Sequence, residues 1–429
     1  MKPEVYRSDN NSIKVYPHDS CKSVQNDFTI RLKNNQKRTG VRCITFWDKE
    51  NTVVISHLNS GKVHLINLNT GKFSYYAYHS HTVRHITVYN DEVISSSWDR
   101  SIRVVNAYSL KQRLILRDTM MCGSPFSTVA KLSDGSEFIF GVSYDSDLNP
   151  KVNSNIIRKF SLSDGKIVQK ISQTGDHQLS EYSGTCLEYD GKLYYVGDSG
   201  FLNVFKSDTC ELIEENFIDA SLRTMILIPK FKKILAADTE GFIHSFCLQT
   251  RTCTRTLLHT KNISRIVRMK LPEYPDIIAT CSFDGTVRIS ELPLLNEVAV
   301  LPAVNQELWA LTVTANNRLI TGGTENDILI YDISNLNNIH LTGTMRVYEN
   351  SYVVCAENNP SIFYTNDINN FEVVSRETNE PIKDKKFQEY ILESCNTLNA
   401  LSLVFGAPKS FNMINSSSRK FFPQLPESF

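Results

Sequence analysis

One pattern constrains this chain more than any other: a unit of about 40 residues, built from four short apolar runs separated by turn formers, returns along most of its length. The unit is clearest from His79 to Arg117, where VRHITV, EVISSS, SIRVV and QRLILR are joined by YND, WDR and NAYSLK. Runs rich in Val and Ile predict strands, and the polar links predict tight turns. The stretch from His259 to Val300 keeps the same order. Asp284-Gly-Thr-Val-Arg-Ile there matches Asp99-Arg-Ser-Ile-Arg-Val, and His259 precedes Ile263 as His79 precedes Val83. At 429 residues the chain exceeds one ordinary core, so it folds either as two domains or as a repeat whose core grows unit by unit. The duplicated offsets decide for the repeat.

The unit resembles the WD repeat, and that resemblance implies an all-β β-propeller in which each unit supplies one four-stranded antiparallel blade. Weaker units run from Val41 to Tyr78, Phe126 to Ile171, Ser183 to Phe217, Leu222 to Leu258 and Leu308 to Met345, which makes seven in all. The segment from Tyr352 to Glu377 carries three further runs, and DFTIRLK near the other end alternates Phe28, Ile30 and Leu32 like a half-buried strand. Pairing the two ends would complete an eighth blade and leave no open edge. Eight blades closed by an N-terminal strand is the expectation, with seven as the alternative.

The units depart from the family pattern. A loop His, a second-strand Ser or Thr, a turn Asp and a third-strand Trp form a buried network in that family. Here His79, Ser97 and Asp99 offer three members, but Val105 stands at the Trp position, and Phe160, Phe205, Phe246 and Tyr331 stand there in other units. The resemblance covers residues 28–377 and is specific in the units beginning near His79 and His259.

Residues 1–27 are read as an N-terminal extension and residues 378–429 as a C-terminal helix with a flexible tail. Phe387, Ile391, Cys395, Leu398, Leu401 and Phe405 recur at helical spacing, and Gly406 is a helix stop. One amphipathic helix of about five turns is expected, docked on the propeller flank or offered to a partner's groove.

Lys plus Arg and Asp plus Glu both total 46, so no global charge marks a nucleic-acid or membrane-surface binder. No signal peptide and no membrane-spanning run of about 18 to 20 apolar residues is evident, which leads to the expectation of an intracellular protein of the cytoplasm or nucleus. The ten cysteines form no CxxC pair and read as reduced core thiols, and no cofactor or metal site is expected.

No nucleophile elbow, P-loop, dinucleotide fingerprint or HExxH is present, and the Ser, His and Asp around His79 serve a WD-like blade structurally, so the chain is read as non-catalytic. In WD propellers the residue after the first apolar position of the innermost strand lies near the channel mouth, as does the residue before the turn Asp. The resemblance therefore places Arg42, Arg84, Arg223 and Trp309 at one mouth with Trp98, Phe283 and Arg100. Arginines there could grip a phosphorylated or acidic peptide bidentately, and the aromatics offer contact area for a protein partner. The set is similar to the WD-repeat half of F-box ubiquitin-ligase adaptors, although no F-box is visible. The sequence thus predicts an interaction scaffold within a multiprotein complex. A phosphopeptide-reading recruitment module is the alternative, and a propeller enzyme, which would need converging acid and base groups in the channel, is the second.

Overall fold

A computed structural model describes residues 12–13, 28–32, 39–118, 121–145, 155–172, 184–197, 200–357, 363–375 and 396–406, with isolated positions between 378 and 392. Seven consecutive stretches each form an antiparallel sheet with the strands in chain order, four-stranded in the first six and extended to six strands in the last. The first strands are Val41–Trp47, Val83–Tyr89, Met121–Lys131, Gly184–Tyr189, Leu222–Ile228, Ile263–Met269 and Leu308–Val313. Each packs beside the first strand of the blade before and after it, and Leu308–Val313 meets Val41–Trp47. The sheets therefore radiate from an axis lined by their first strands, numbered blades 1 to 7.

The burial pattern follows from that radial order. The second strand of blade 1, Thr52–His57, is buried throughout because adjoining blades cover both its faces. The fourth strand of blade 4, Leu212–Phe217, alternates between exposed and half-buried positions, as an edge facing solvent must. The residues standing at the family's Trp position, Val105, Phe160, Phe205, Phe246 and Tyr331, are all buried. Turn chemistry agrees with the sequence: Asn90 and Asp91 between the first two strands of blade 2 both have positive φ, +47° and +62°. That backbone matches the right-handed twist of a two-residue hairpin, and Asn and Asp tolerate it.

The expected eighth blade is not formed; the ring closes at seven. Tyr352–Ala356 turns back from the fourth strand of blade 7, His340–Val347, and pairs with it, and Phe363–Thr365 pairs with Tyr352–Ala356. Blade 7 is thus a six-stranded sheet. The expected pairing of the two ends does occur, with Phe28 opposite Ser375 and Leu32 opposite Phe371, but in a separate small sheet shared with Ser12–Ile13. Strands with the right alternation can join any free edge, and the nearest edge was the outer one of blade 7.

Blades 7 and 1 share one core that includes Val41, Ile44, Ile55, Ala310, Ile320 and Ile330. The Tyr352 hydroxyl donates to the Gly71 carbonyl at 2.8 Å across this junction. The helix Asn399–Phe405 buries Leu401, Val404 and Phe405 in the same core. Lys385, Lys386, Gln388, Glu389 and Leu392 are also helical, so the single helix expected from Phe387 onward is broken at Asn396, which lies in a β-bridge with Phe363. The stop does fall at Gly406, in the left-handed region at φ +64°, where its N–H bonds the Ser402 carbonyl. Arg318 Nε and Thr342 Oγ1 both donate to the Val404 carbonyl, at 3.1 and 2.8 Å, which ties the helix end to blade 7. Among the described residues no helix is long and apolar enough to cross a membrane. Most of the insertion between Asp145 and Asn155 lies outside the described residues.

Candidate functional site

Irregular first strands create the site. In blades 1, 2, 5, 6 and 7 the pairing of the first strand with the second slips by one residue just after its start, between Val41 and Cys43, Val83 and His85, Leu222 and Thr224, Ile263 and Arg265, and Leu308 and Ala310. The residues in the slipped positions are Arg42, Arg84, Arg223, Ser264 and Trp309. A bulge re-aims the side chain it carries, and here five of them occur at one level of the ring.

The guanidinium of Arg42 lies 5.6 Å over the Trp309 ring, and that of Arg84 lies 5.3 Å over the Trp98 ring. Phe283 packs against Trp309 with ring centroids 6.3 Å apart, and His81 packs against Trp98 at 5.2 Å. Backbone bonds hold the two rim aromatics that precede the turn Asp: Trp98 N–H donates to the Thr82 carbonyl and Phe283 N–H to that of Asn262. Trp309 Nε1 donates to Glu307 at 3.3 Å. Trp98 remains 42 % exposed.

The electrostatics are unusual for a protein interior. Arg42 keeps part of its surface open to the channel, yet protein encloses it, and its pKa falls well below the usual arginine value through burial and then through Arg84 and Arg265. Burial, followed by Arg265 and Arg223, pushes Arg84 down to about 10. These arginines are close enough to repel one another. Six of the seven residues singled out in the sequence thus lie in two touching groups or act on them. The exception is Arg100, which stands exposed on a left-handed turn at φ +66° and joins none of these contacts.

Three residues of the site carry no signal in the family pattern. Arg265 reaches to 3.6 Å from Cys43 Sγ on blade 1, and its guanidinium sits 5.8 Å over the Phe126 ring on blade 3. His85 stacks on the same ring at 3.8 Å, and burial, then Arg265 and Arg42, hold its pKa well below the usual histidine value. Blade 6 places Ser264 in the bulge, so its arginine stands one residue later than the pattern suggests.

The buried His network explains the serine, histidine and aspartate near this rim. His79 Nδ1 meets Asp99 Oδ2 at 2.9 Å and Nε2 meets Ser95 Oγ at 2.9 Å, while Ser101 also bonds Asp99. The second-strand partner is therefore Ser95; Ser97 bonds the His81 carbonyl instead. Blade 6 repeats the arrangement with His259, Thr280, Asp284 and Thr286. The His79 and Asp99 side chains are 0 % and 1 % exposed, so this trio ties a loop to a turn where no substrate can reach it.

The model for the WD domain, G-beta repeat, matches residues 251–289, from the fourth strand of blade 5 into the third strand of blade 6. The chain is a β-propeller that carries a WD repeat. No curated protein matches it. WD-repeat propellers generally mediate protein interactions and are typically non-catalytic scaffolds.

Proposed function

We propose that this WD-repeat propeller is a non-catalytic scaffold that recruits a protein partner through its channel-mouth face, as a subunit of an intracellular complex. The observation that carries the reading is the doubled arginine–indole arrangement, Arg42 on Trp309 and Arg84 on Trp98, at one end of the ring. Large aromatics beside arginine are the side chains that dominate interface energies, and a rigid ring holds them without an ordering cost on binding. Cys43, Cys186, Cys210, Cys247, Cys253, Cys281 and Cys355 are free thiols, which suits a reducing compartment. The experiment is affinity purification of wild-type chain beside Trp98→Ala and Trp309→Ala. Loss of specific partners from both variants, with unfolding curves unchanged, is the expected result; an identical partner set rejects the rim as the recruiting surface.

A second reading, recruitment of a phosphorylated or acidic segment, is favoured by Arg42 and Arg84, whose charged neighbours are other arginines. It requires that Arg42→Ala with Arg84→Ala abolish peptide retention. Unchanged retention would reject it.

A further inference from the structure

The chain usually gives its enclosed arginines a carboxylate. Arg103 faces Asp99, Arg158 faces Asp118, Arg318 faces Asp332 and Arg346 faces Asp327. The axial channel breaks that habit. Arg42 from blade 1, Arg84 from blade 2 and Arg265 from blade 6 converge there, and among the described residues none of the three is ion-paired to a carboxylate.

Arg265 is the member that makes the cluster a site and not a ring of separate side chains. It touches blade 1 at Cys43 and blade 3 at Phe126, so its guanidinium lies across the axis. His85 stands against the same Phe126 with Nδ1 buried and unbonded. Trp98 and Trp309 hold Arg84 and Arg42 by their flat faces, which leaves the guanidinium edges to donate. Enclosing like charges without a counter-charge costs free energy in the empty protein, and an anion with several oxygens recovers that cost. Guanidinium edges fit phosphoryl oxygens two at a time, and a polyanion offers enough oxygens for three guanidiniums at once.

We propose that the axial channel is a binding site for a phosphoryl-class polyanion, seated among Arg42, Arg84 and Arg265. The site rests on the same Arg42 and Arg84 as the second reading above and extends it with Arg265 and His85, and a free anion can occupy it without a protein partner. The phosphoryl groups can come from a free polyphosphate or from a phosphorylated side chain inserted by a partner.

The test is calorimetric titration of the full chain with inorganic tripolyphosphate at near-physiological salt. One tripolyphosphate per chain is expected, with affinity falling more than about tenfold in Arg265→Met and further in Arg42→Met with Arg84→Met. Lys166→Met, on an exposed turn far along blade 3, should bind as wild type does. No binding by wild type, or equal binding by Arg265→Met with its thermal unfolding intact, overturns the proposal. Displacement of tripolyphosphate by a phosphoserine peptide, and not by its serine counterpart, assigns the phosphoryl source to a partner; no displacement by either assigns it to a free anion. An unchanged partner set from the Trp98 and Trp309 variants while tripolyphosphate still binds removes the rim reading alone.

Discussion

Blade 2 and the axial channel treat buried charge in opposite ways. In blade 2 the Asp99 carboxylate sits against His79, Ser101 and the Ser80 N–H. Burial works against that carboxylate, and the bonds from His79 and Ser101 outweigh it, so its pKa falls well below the usual range. In the channel, one strand away, guanidiniums face guanidiniums. A smaller version of the contrast separates blades 5 and 1. Asp238 and His244 in blade 5 bond each other at 2.8 Å, whereas the equivalent register positions of blade 1 hold His57 and His64, whose rings meet at 5.4 Å. Matched groups hold the ring together, and unmatched groups mark places where stability has been given up for something else.

Breaking a matched group should have the largest effect. Asp99→Ala strands His79, Ser101 and a backbone N–H, and should cost about 3 to 5 kcal/mol in urea unfolding. Next comes acid. Burial lowers the His57 pKa from 6.5 to about 4, so the folded chain resists protonation that the unfolded chain accepts. Its contribution is complete above pH 6.5 and declines as pH falls toward 4, by about 3 kcal/mol. Denaturation curves across that window should slope less steeply in His57→Leu, and an unchanged slope would place the acid sensitivity elsewhere.

Arg84→Met tests the opposite sign. Relief of burial and repulsion should outweigh a lost indole contact of about 0.5 to 1 kcal/mol, leaving a variant about 1 kcal/mol more stable by the same urea measurement. A destabilised variant would mean that the channel charges are matched after all. Trp98→Ala should change stability least, within about 0.5 kcal/mol, while removing partner capture.

The parts legible in sequence were those set by local offsets. His79 with Asp99 and His259 with Asp284 announced their networks through spacing alone, and the slipped positions of the first strands follow from where each strand begins. Choices among equivalent edges were not legible. Tyr352–Ala356 has the alternation of a strand, but nothing in its residues says that it will extend blade 7 and not start another blade. Arg265 and Phe126 were missed because only the assembled ring brings blade 6 and blade 3 within reach of one another across the axis. The helical spacing before Asn399 shows in the helical positions from Lys385 to Leu392, but the Asn396–Phe363 bridge breaks its continuity with Asn399–Phe405.

The seventh junction differs in kind from the other six. At six of them the backbone itself passes from one blade to the next; between blades 7 and 1 the described contacts are non-covalent, namely packed side chains, the Tyr352–Gly71 bond and the Lys62–Glu349 pair. Like a washer cut through at one point, such a body has a single place where it can spread without tearing, and the clasp of Phe28–Leu32 on Phe371–Ser375 bridges the cut from outside.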